Sequence, residues 1–197
     1  MTDRKRKYDK RVRAEAEAAT RLRITESAIV LHGSLGPART TMSAVAEHAG
    51  VTRSTLYRHF PDETAVFEAC SAHWSAENPP PDPSPWPAIA DPHERTRTAL
   101  EALFGYYRRN ERMLANLLRD EQTMPMVRER FALYHAFLGA IEEMLLDGRG
   151  LRGHARRRTA AVIGHALALA TWQSLSDRGL ADAEAAELMT ALAASAA

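Results

Sequence analysis

The sequence of 197 residues contains a single cysteine, Cys70, and no long apolar run. One cysteine cannot form an intramolecular disulfide, so a disulfide-stabilised scaffold is excluded. No stretch has the length and hydrophobicity of a membrane span or a signal peptide. These absences lead us to expect a cytoplasmic globular protein.

Motifs that would carry catalysis or metal binding are also missing. The eight histidines include no pair at the i, i+4 spacing of a helical zinc site. There is no Gly-x-Ser-x-Gly elbow, phosphate loop or dinucleotide glycine pattern. We therefore expect no metal site, no cofactor and no enzymatic activity. His135 and His165 fall on apolar helical stretches and are interpreted as core or pocket residues.

Alternating runs of β-branched residues do not occur, whereas Ala, Leu, Glu and Arg are abundant, which predicts an all-α fold. The 45% apolar content suffices for a buried core. Seven of the ten prolines lie between Pro79 and Pro92, and this segment is expected to be an extended loop. After it, the sequence predicts helices over about Glu94 to Arg109, Glu111 to Arg119, Pro125 to Leu146, Leu151 to Asp177 and Asp182 to Ala196.

Charge is distributed unevenly along the chain although the formal net charge is only +1. Residues 1–60 hold 12 Lys and Arg against 6 Asp and Glu, whereas residues 61–197 hold 14 against 19. This asymmetry is typical of a DNA-binding domain joined to a second domain of another function, the alternative being chance scatter of surface charge. Residues 1–20, with the dense block Arg4 to Lys7, are expected to be a basic flexible arm. The arm either follows DNA phosphates or serves only as a solubilising tail.

Residues 40–60 read as two short helices joined by one tight turn. Met42, Val45, Ala46 and Ala49 form one apolar helical stripe, and Thr41 is a suitable N-cap. Gly50 can adopt the left-handed conformation that ends such a helix. Thr52 is placed to cap the second helix, which directs Leu56 and Phe60 inward.

This pattern matches a helix-turn-helix whose second helix enters the DNA major groove. Arg53, Ser54 and Thr55, at the start of the second helix, are predicted to reach base edges. Tyr57 and His59 are predicted to contact phosphates. Arg39, beside the amides that open the first helix, either meets a phosphate or is simply solvated. The complete predicted DNA-binding set is Arg39, Thr40, Thr41, Thr52, Arg53, Ser54, Thr55, Tyr57, Arg58 and His59.

The N-terminal segments of the chain resemble those of a known protein family. Seven segments together resemble the N-terminal domain of the TetR family of bacterial transcriptional regulators: Ile24 to Leu31, the Gly33 to Gly36 loop, Thr40-Thr41, Val45-Ala46, Ala49-Gly50-Val51, Leu56-Tyr57 and His59-Phe60. One departure is Glu63, where family members often carry a lysine that meets a phosphate. The resemblance covers about 50 residues and implies an N-terminal three-helix domain at residues 21–61. A helical ligand-binding and dimerisation domain would follow at residues 62–197.

The resemblance also implies partners. The last two helices would form a four-helix bundle across a twofold axis, and the small side chains from Ala160 to Trp172, with Leu188, Met189 and Leu192, are consistent with that seam. The alternative is a purely intramolecular core. Bulky residues of the second domain would line a small-molecule pocket, or else form a packed aromatic core. They are Phe67, Cys70, Trp74, Phe104, Tyr107, Met113, Leu117, Tyr134, His165 and Trp172.

The protein is expected to be a homodimeric transcriptional regulator, and repression is favoured over activation. It would bind a palindromic operator and be released by a small-molecule inducer. Two other classes stay open: a constitutive or architectural DNA-binding dimer without ligand response, and a helical enzyme or carrier whose basic N-terminus is incidental.

Overall fold

A computed structural model describes the backbone of residues 2–197 and the side chains of residue 8 and residues 10–197. Every regular element in this part of the chain is helical, which confirms the all-α fold class. The α-helices are α1 (Thr2–Ser34), α2 (Met42–His48), α3 (Arg53–His59), α4 (Glu63–Glu77), α5 (Pro92–Asp120), α6 (Pro125–Leu146), α7 (Gly153–Ala166), α8 (Leu169–Ser176) and α9 (Asp182–Ser195). Short 3-10 turns occur at Pro37–Arg39 and Trp86–Ala88.

The chain divides into two compact units, Met1–Asn78 and Pro79–Ala197. In the N-terminal unit, α1 packs against α2 and α4. Its core contains the fully buried side chains of Ile24, Leu56 and Phe60. The boundary therefore lies after Asn78 and not after residue 61 as the sequence suggested, because α4 packs against α1.

Helix α1 begins at Thr2, so residues 2–20 of the segment expected to form a flexible arm are helical. No glycine or proline occurs before Gly33, and Arg11 forms an i, i+4 ion pair with Glu15 at 3.3 Å. The side chains of Lys10, Arg11 and Arg13 are exposed. The side chains of the Arg4 to Lys7 block lie outside the described residues.

In the C-terminal unit, α5 is the central helix and packs against α6, α8 and α9. It is continuous, although the sequence predicted two helices with a break at Asn110. The Asn110 side chain is buried and its Nδ2 donates to the Tyr106 carbonyl one turn earlier, at 3.0 Å. The amide is thus satisfied within the helix and does not end it.

The opposite difference occurs after Ala166, where the single helix expected over Leu151 to Asp177 is divided into α7 and α8. Ala168 is extended, with φ −74° and ψ 136°. The Leu167 carbonyl accepts from the Tyr107 hydroxyl at 2.5 Å, and the His165 carbonyl accepts from Thr171 Oγ1 at 2.5 Å. Side chains therefore satisfy carbonyl groups at the end of α7, and the chain can turn there without a proline or glycine.

The remaining boundaries agree closely with the sequence patterns. Helix α6 has the expected limits, and α9 ends one residue before the expected Ala196. Its N-cap is Ala181 and not Asp182, and the Ala181 amide donates to the Glu184 carboxylate at 2.9 Å. Asp182 is free for another role because this glutamate occupies the helix N-terminus.

Candidate nucleic-acid interface

The two short helices of the N-terminal unit are set by local capping. Thr41 accepts a hydrogen bond from the Ala44 amide at 3.1 Å, and Thr52 accepts one from the Thr55 amide at 3.2 Å. Gly50 has φ +63° and the Val51 amide donates to the Ala46 carbonyl at 2.9 Å, which closes the turn between the helices. The helix-turn-helix predicted from the sequence is present at the predicted positions.

Helix α3 is amphipathic in the manner that a recognition helix requires. Leu56 is fully buried, whereas Arg53, Ser54 and Arg58 are exposed. Tyr57 is 41% exposed, and the Arg53 guanidinium lies 5.8 Å from the centre of its ring. The outward face thus offers guanidinium, hydroxyl and phenol groups, which are the donors that contact phosphates and base edges.

Three hydroxyl groups lie together at the N-terminus of α3. Thr52 Oγ1 is 3.0 Å from both Ser54 Oγ and Thr55 Oγ1. Hydroxyl groups can donate or accept, so this cluster can re-orient its hydrogens to suit either partner on a base edge. The helix N-terminus adds positive potential at the same place.

Two members of the predicted set do not face solvent as expected. Thr40 is buried, and its hydroxyl donates to the Gly36 carbonyl at 2.8 Å, so it stabilises the loop before α2. His59 is half-buried, and its Nε2 is buried with no hydrogen-bond partner among the described residues. Arg39 and Thr41 are exposed, as predicted.

Two arginines of α1, which the sequence reasoning did not single out, contact the helix-turn-helix. Arg23 Nε donates to the Ala49 carbonyl at 3.0 Å, at the C-cap of α2. Arg21 Nη1 donates to the carbonyl of His59, the last residue of α3, at 2.6 Å. The Arg21 guanidinium also lies 4.0 Å from the centre of the Phe60 ring. The sequence shows only two basic residues at the start of the domain, and no local pattern connects them to carbonyls 26 and 38 residues away.

Comparison with known proteins agrees with this geometry. Residues 24–70 match the family model of the bacterial regulatory proteins of the tetR family. The resemblance to the TetR family is confirmed. The matched range includes the first half of α4, in keeping with its place in the N-terminal unit. A search of curated proteins finds no match.

TetR-like structures also resemble the chain as a whole. A TetR-like transcriptional regulator from Rhodococcus sp. RHA1 has a TM-score of 0.62 at 20% identity, covering 89% of this chain and 94% of its own. NalD, the secondary repressor of the MexAB-OprM multidrug efflux pump in Pseudomonas aeruginosa, has a TM-score of 0.59 at 20% identity, covering 92% and 97%. At these identities the likeness establishes the fold.

The residues predicted to line a ligand pocket are divided between the two units. Phe67, Cys70 and Trp74 lie on α4 of the N-terminal unit. Cys70 is buried, with its Sγ 3.4 Å from His32 Nδ1 and 3.2 Å from the Phe67 carbonyl. Burial raises the pKa of the Cys70 thiol to about 12. The thiol therefore belongs to the core of the N-terminal unit and stays protonated at neutral pH.

In the C-terminal unit, four of the predicted residues form a packed aromatic cluster. Tyr107 is fully buried, and its ring centre lies 6.3 Å from that of Phe104 and 6.1 Å from that of Trp172. Its hydroxyl accepts from the Tyr134 hydroxyl at 2.9 Å. Burial is the main cause that raises the pKa of both tyrosines, for Tyr134 to about 12. These side chains therefore pack against one another within the C-terminal unit.

The other three predicted pocket residues are more dispersed. Met113 and Leu117 are buried on α5, whereas His165 is exposed on α7. His165 lines an open groove of about 410 Å³ between α7 and α9. His135 is also exposed and not a core residue, and its Nε2 lies 3.0 Å from a Glu121 carboxylate oxygen.

The groove between α7 and α9 is lined mainly by apolar side chains. They are Ala161, Val162, Met189, Leu192 and Ala196, and the lining also includes Arg158, His165 and Ser195. Leu188 and Leu192 are 42% and 46% exposed. Of the seam residues predicted from the sequence, Met189 is buried within the unit.

None of the described helices has the length and apolar content of a membrane span.

Proposed function

We propose that this protein is a homodimeric transcriptional repressor that binds a palindromic DNA operator. The observation that carries the proposal is α3, a short capped helix that exposes Arg53, Ser54 and Arg58 while burying Leu56. A helix with this face fits the major groove, and two copies would read half-sites about one helical turn apart. Repression is favoured by analogy with NalD, which is described as a repressor.

Selection from a random DNA library tests the DNA-binding proposal. We expect the protein to enrich a palindromic sequence, and footprinting to protect two half-sites centred about 10 base pairs apart or a multiple of that spacing. An Arg53→Ala, Arg58→Ala double variant serves as the control, since both residues are exposed and their loss spares the core. Failure of the wild-type protein to enrich any sequence would contradict the proposal.

We propose that dimerisation buries the groove between α7 and α9. Exposed Leu192 lines this groove together with small residues of α7 such as Ala161, and exposed Leu188 precedes Leu192 by one turn of α9. A second copy could therefore approach closely and cover apolar surface. Leu192→Glu should therefore yield monomers in sedimentation velocity experiments. Leu133→Glu is the matched control, because Leu133 is 66% exposed on α6, outside this groove. A wild-type monomer, or equal dissociation by both variants, would contradict this interface.

We further propose that a small-molecule inducer binds the C-terminal unit and releases the DNA. The aromatic cluster of Phe104, Tyr107, Tyr134 and Trp172 would supply apolar contact area and two hydroxyl groups. Tyr134 is only half-buried, so a ligand could reach the cluster from the side on which Tyr134 lies. A thermal-shift screen against chemically diverse small molecules tests this step, with operator release by the hits as the readout.

The constitutive DNA-binding dimer is the second candidate, and one observation favours it. Tyr107 is fully buried and its hydroxyl both donates to the Leu167 carbonyl and accepts from Tyr134. A ligand that enters this cluster must break those bonds. If no compound in the screen both stabilises the protein and releases the operator, the constitutive function is the better account.

A further inference from the structure

The two arginines of α1 that contact the helix-turn-helix have different targets. Helices α2 and α3 have seven residues each, which is too short for either to be stable without tertiary support. Each ends in carbonyl groups that lack an intrahelical partner. Arg23 satisfies the Ala49 carbonyl at the end of α2, and Arg21 satisfies the His59 carbonyl at the end of α3.

These contacts are stronger than ordinary hydrogen bonds. A guanidinium donor is charged, and the C-terminus of a helix carries partial negative charge, so both contacts are charge-assisted. Arg21 is additionally fixed by the Phe60 ring, which is fully buried and lies 4.0 Å from the guanidinium centre. The planar guanidinium is thus held in one orientation by a carbonyl and an aromatic face.

The position of Arg21 matters for base reading because of the geometry of α3. A helix of seven residues is only about 10 Å long. Arg53, Ser54 and Thr55 lie at its start, and Arg21 holds its end. A shift at the anchored end therefore changes the tilt of the whole helix and displaces the residues at the start.

We propose that Arg21 and Arg23 are positioning residues for DNA recognition, which hold α3 and α2 at the angle needed to read sequence. The proposal rests on the proposed DNA-binding function. It assigns the two arginines a role in specificity. The side chains of Arg13, Arg21 and Arg23 are all exposed, but in the described structure only Arg21 and Arg23 donate to the ends of α3 and α2, so Arg13 could act only through phosphate attraction.

The salt dependence of DNA affinity distinguishes a positioning role from simple phosphate attraction. The probes are the duplex that the wild-type protein enriches from a random library and a scrambled duplex of the same composition. Arg21→Ala and Arg23→Ala should each reduce the ratio of specific to non-specific affinity roughly 10-fold, with an unchanged slope of log affinity against log salt. Arg13→Ala is the matched control: if Arg13 meets a phosphate, both affinities fall and the slope decreases by about 0.9. A lower slope with an unchanged ratio for both Arg21→Ala and Arg23→Ala would overturn the proposal.

The conservative variant Arg21→Lys adds a second criterion and guards against loss of folding. Lysine keeps the charge but lacks the planar group that lies on Phe60. A residue that acts only as a phosphate contact would regain full specificity as lysine, and that result would overturn the positioning role. We expect Arg21→Lys to keep the wild-type salt slope and a reduced specificity ratio.

A measurement without DNA tests the two helix-end contacts separately from the proposed DNA-binding function. Amide hydrogen exchange measured by NMR should be faster throughout α3 in Arg21→Ala and throughout α2 in Arg23→Ala, and unchanged in Arg13→Ala. If the wild-type protein enriches no sequence, the proposed DNA-binding function fails, and wild-type exchange rates in both variants would then also refute the positioning role. Faster exchange confined to the anchored helix would support it.

Discussion

At the scale of single residues, the exposed side chains of α3 differ in their distance from the helix N-terminus. Arg53 lies at the first position of α3, and Tyr57 lies one turn later with its ring 41% exposed. The N-terminal residues of a helix-turn-helix recognition helix contact base edges, and we expect the phenol of Tyr57, one turn later, to meet a phosphate. The two residues should therefore make different contributions to binding.

We expect Arg53→Ala to cost about 1 to 3 kcal/mol at one base position and to relax preference there. Tyr57→Ala should weaken binding to all sequences by a similar factor. Affinities for a set of single-base operator variants measure both effects, with Ser43→Ala as a control, because Ser43 is exposed on α2 and outside the predicted set. A Tyr57→Ala protein with altered base preference and unchanged non-specific affinity would reverse the assignment.

A second residue-scale prediction concerns Asp182, which joins three helices. The Arg108 guanidinium donates twice to this carboxylate, from Nε and Nη2 at 2.7 Å each. Trp172 Nε1 donates to the same group at 2.8 Å. The hydrogen bonds from Arg108, and then that from Trp172, hold the pKa of the Asp182 carboxyl below its ordinary value, against the opposing effect of partial burial.

Because the folded-state pKa is lowered, the carboxylate contributes stability above its unfolded pKa of about 3.9. That contribution is lost as the pH falls below about 4. Asp182→Asn should therefore be less stable than the wild type by about 1 kcal/mol between pH 5 and 7, and the difference should narrow at lower pH. Urea unfolding followed by tryptophan fluorescence measures this, with Asp177→Asn, at an exposed residue, as the control. A difference that grows toward low pH would contradict the assignment.

At the scale of elements, sequence patterns located those features that depend on neighbouring residues. The caps Thr41 and Thr52, the positive φ of Gly50 and the limits of α6 all follow from side chains within one or two turns. These elements were predicted correctly because the cause and its effect lie close together in the chain.

The elements that were missed depend on distant contacts. The break between α7 and α8 is stabilised by Tyr107, 60 residues from Leu167 in sequence. The place of α4 in the N-terminal unit depends on its packing against α1. The ends of α2 and α3 are held by Arg23 and Arg21 across 26 and 38 residues. No periodicity or local propensity encodes such pairs, so sequence reasoning could not assign them.

Tyr107→Phe tests the cause of the break between α7 and α8. The change removes the only hydroxyl that donates to the buried Leu167 carbonyl in the described structure, and an unsatisfied buried carbonyl costs about 1 to 3 kcal/mol. We expect the free energy of unfolding in urea to fall by that amount. Tyr134→Phe is the control, since it removes the bond to Tyr107 and leaves the Leu167 carbonyl paired. Equal losses in the two variants would show that the Leu167 bond does not determine stability here.

At the scale of the whole molecule, the structural boundary changes the meaning of the charge asymmetry. With α4 included, residues 1–78 hold 12 basic and 10 acidic side chains, and residues 79–197 hold 14 and 15. The units are therefore nearly balanced, at +2 and −1. The basic excess belongs to residues 1–60. The three glutamates of α4 and Asp62 at its N-cap reduce this excess within the same unit. Attraction to DNA should accordingly depend on which surface of the unit faces the duplex, and not on its total charge.

The last prediction concerns coupling between DNA and an inducer bound to the proposed ligand site of the C-terminal unit. A ligand can release the operator only if it binds more tightly to the DNA-free conformation of the dimer. Typical coupling energies of about 1 to 3 kcal/mol would lower operator affinity roughly 5- to 150-fold. By thermodynamic linkage, saturating operator must weaken binding of the same ligand by the same factor. Titration calorimetry with a hit from the thermal-shift screen measures both directions, using a scrambled duplex as the control. If the ligand binds the wild-type dimer equally well with and without operator, it is not an inducer, and the constitutive DNA-binding function is then favoured.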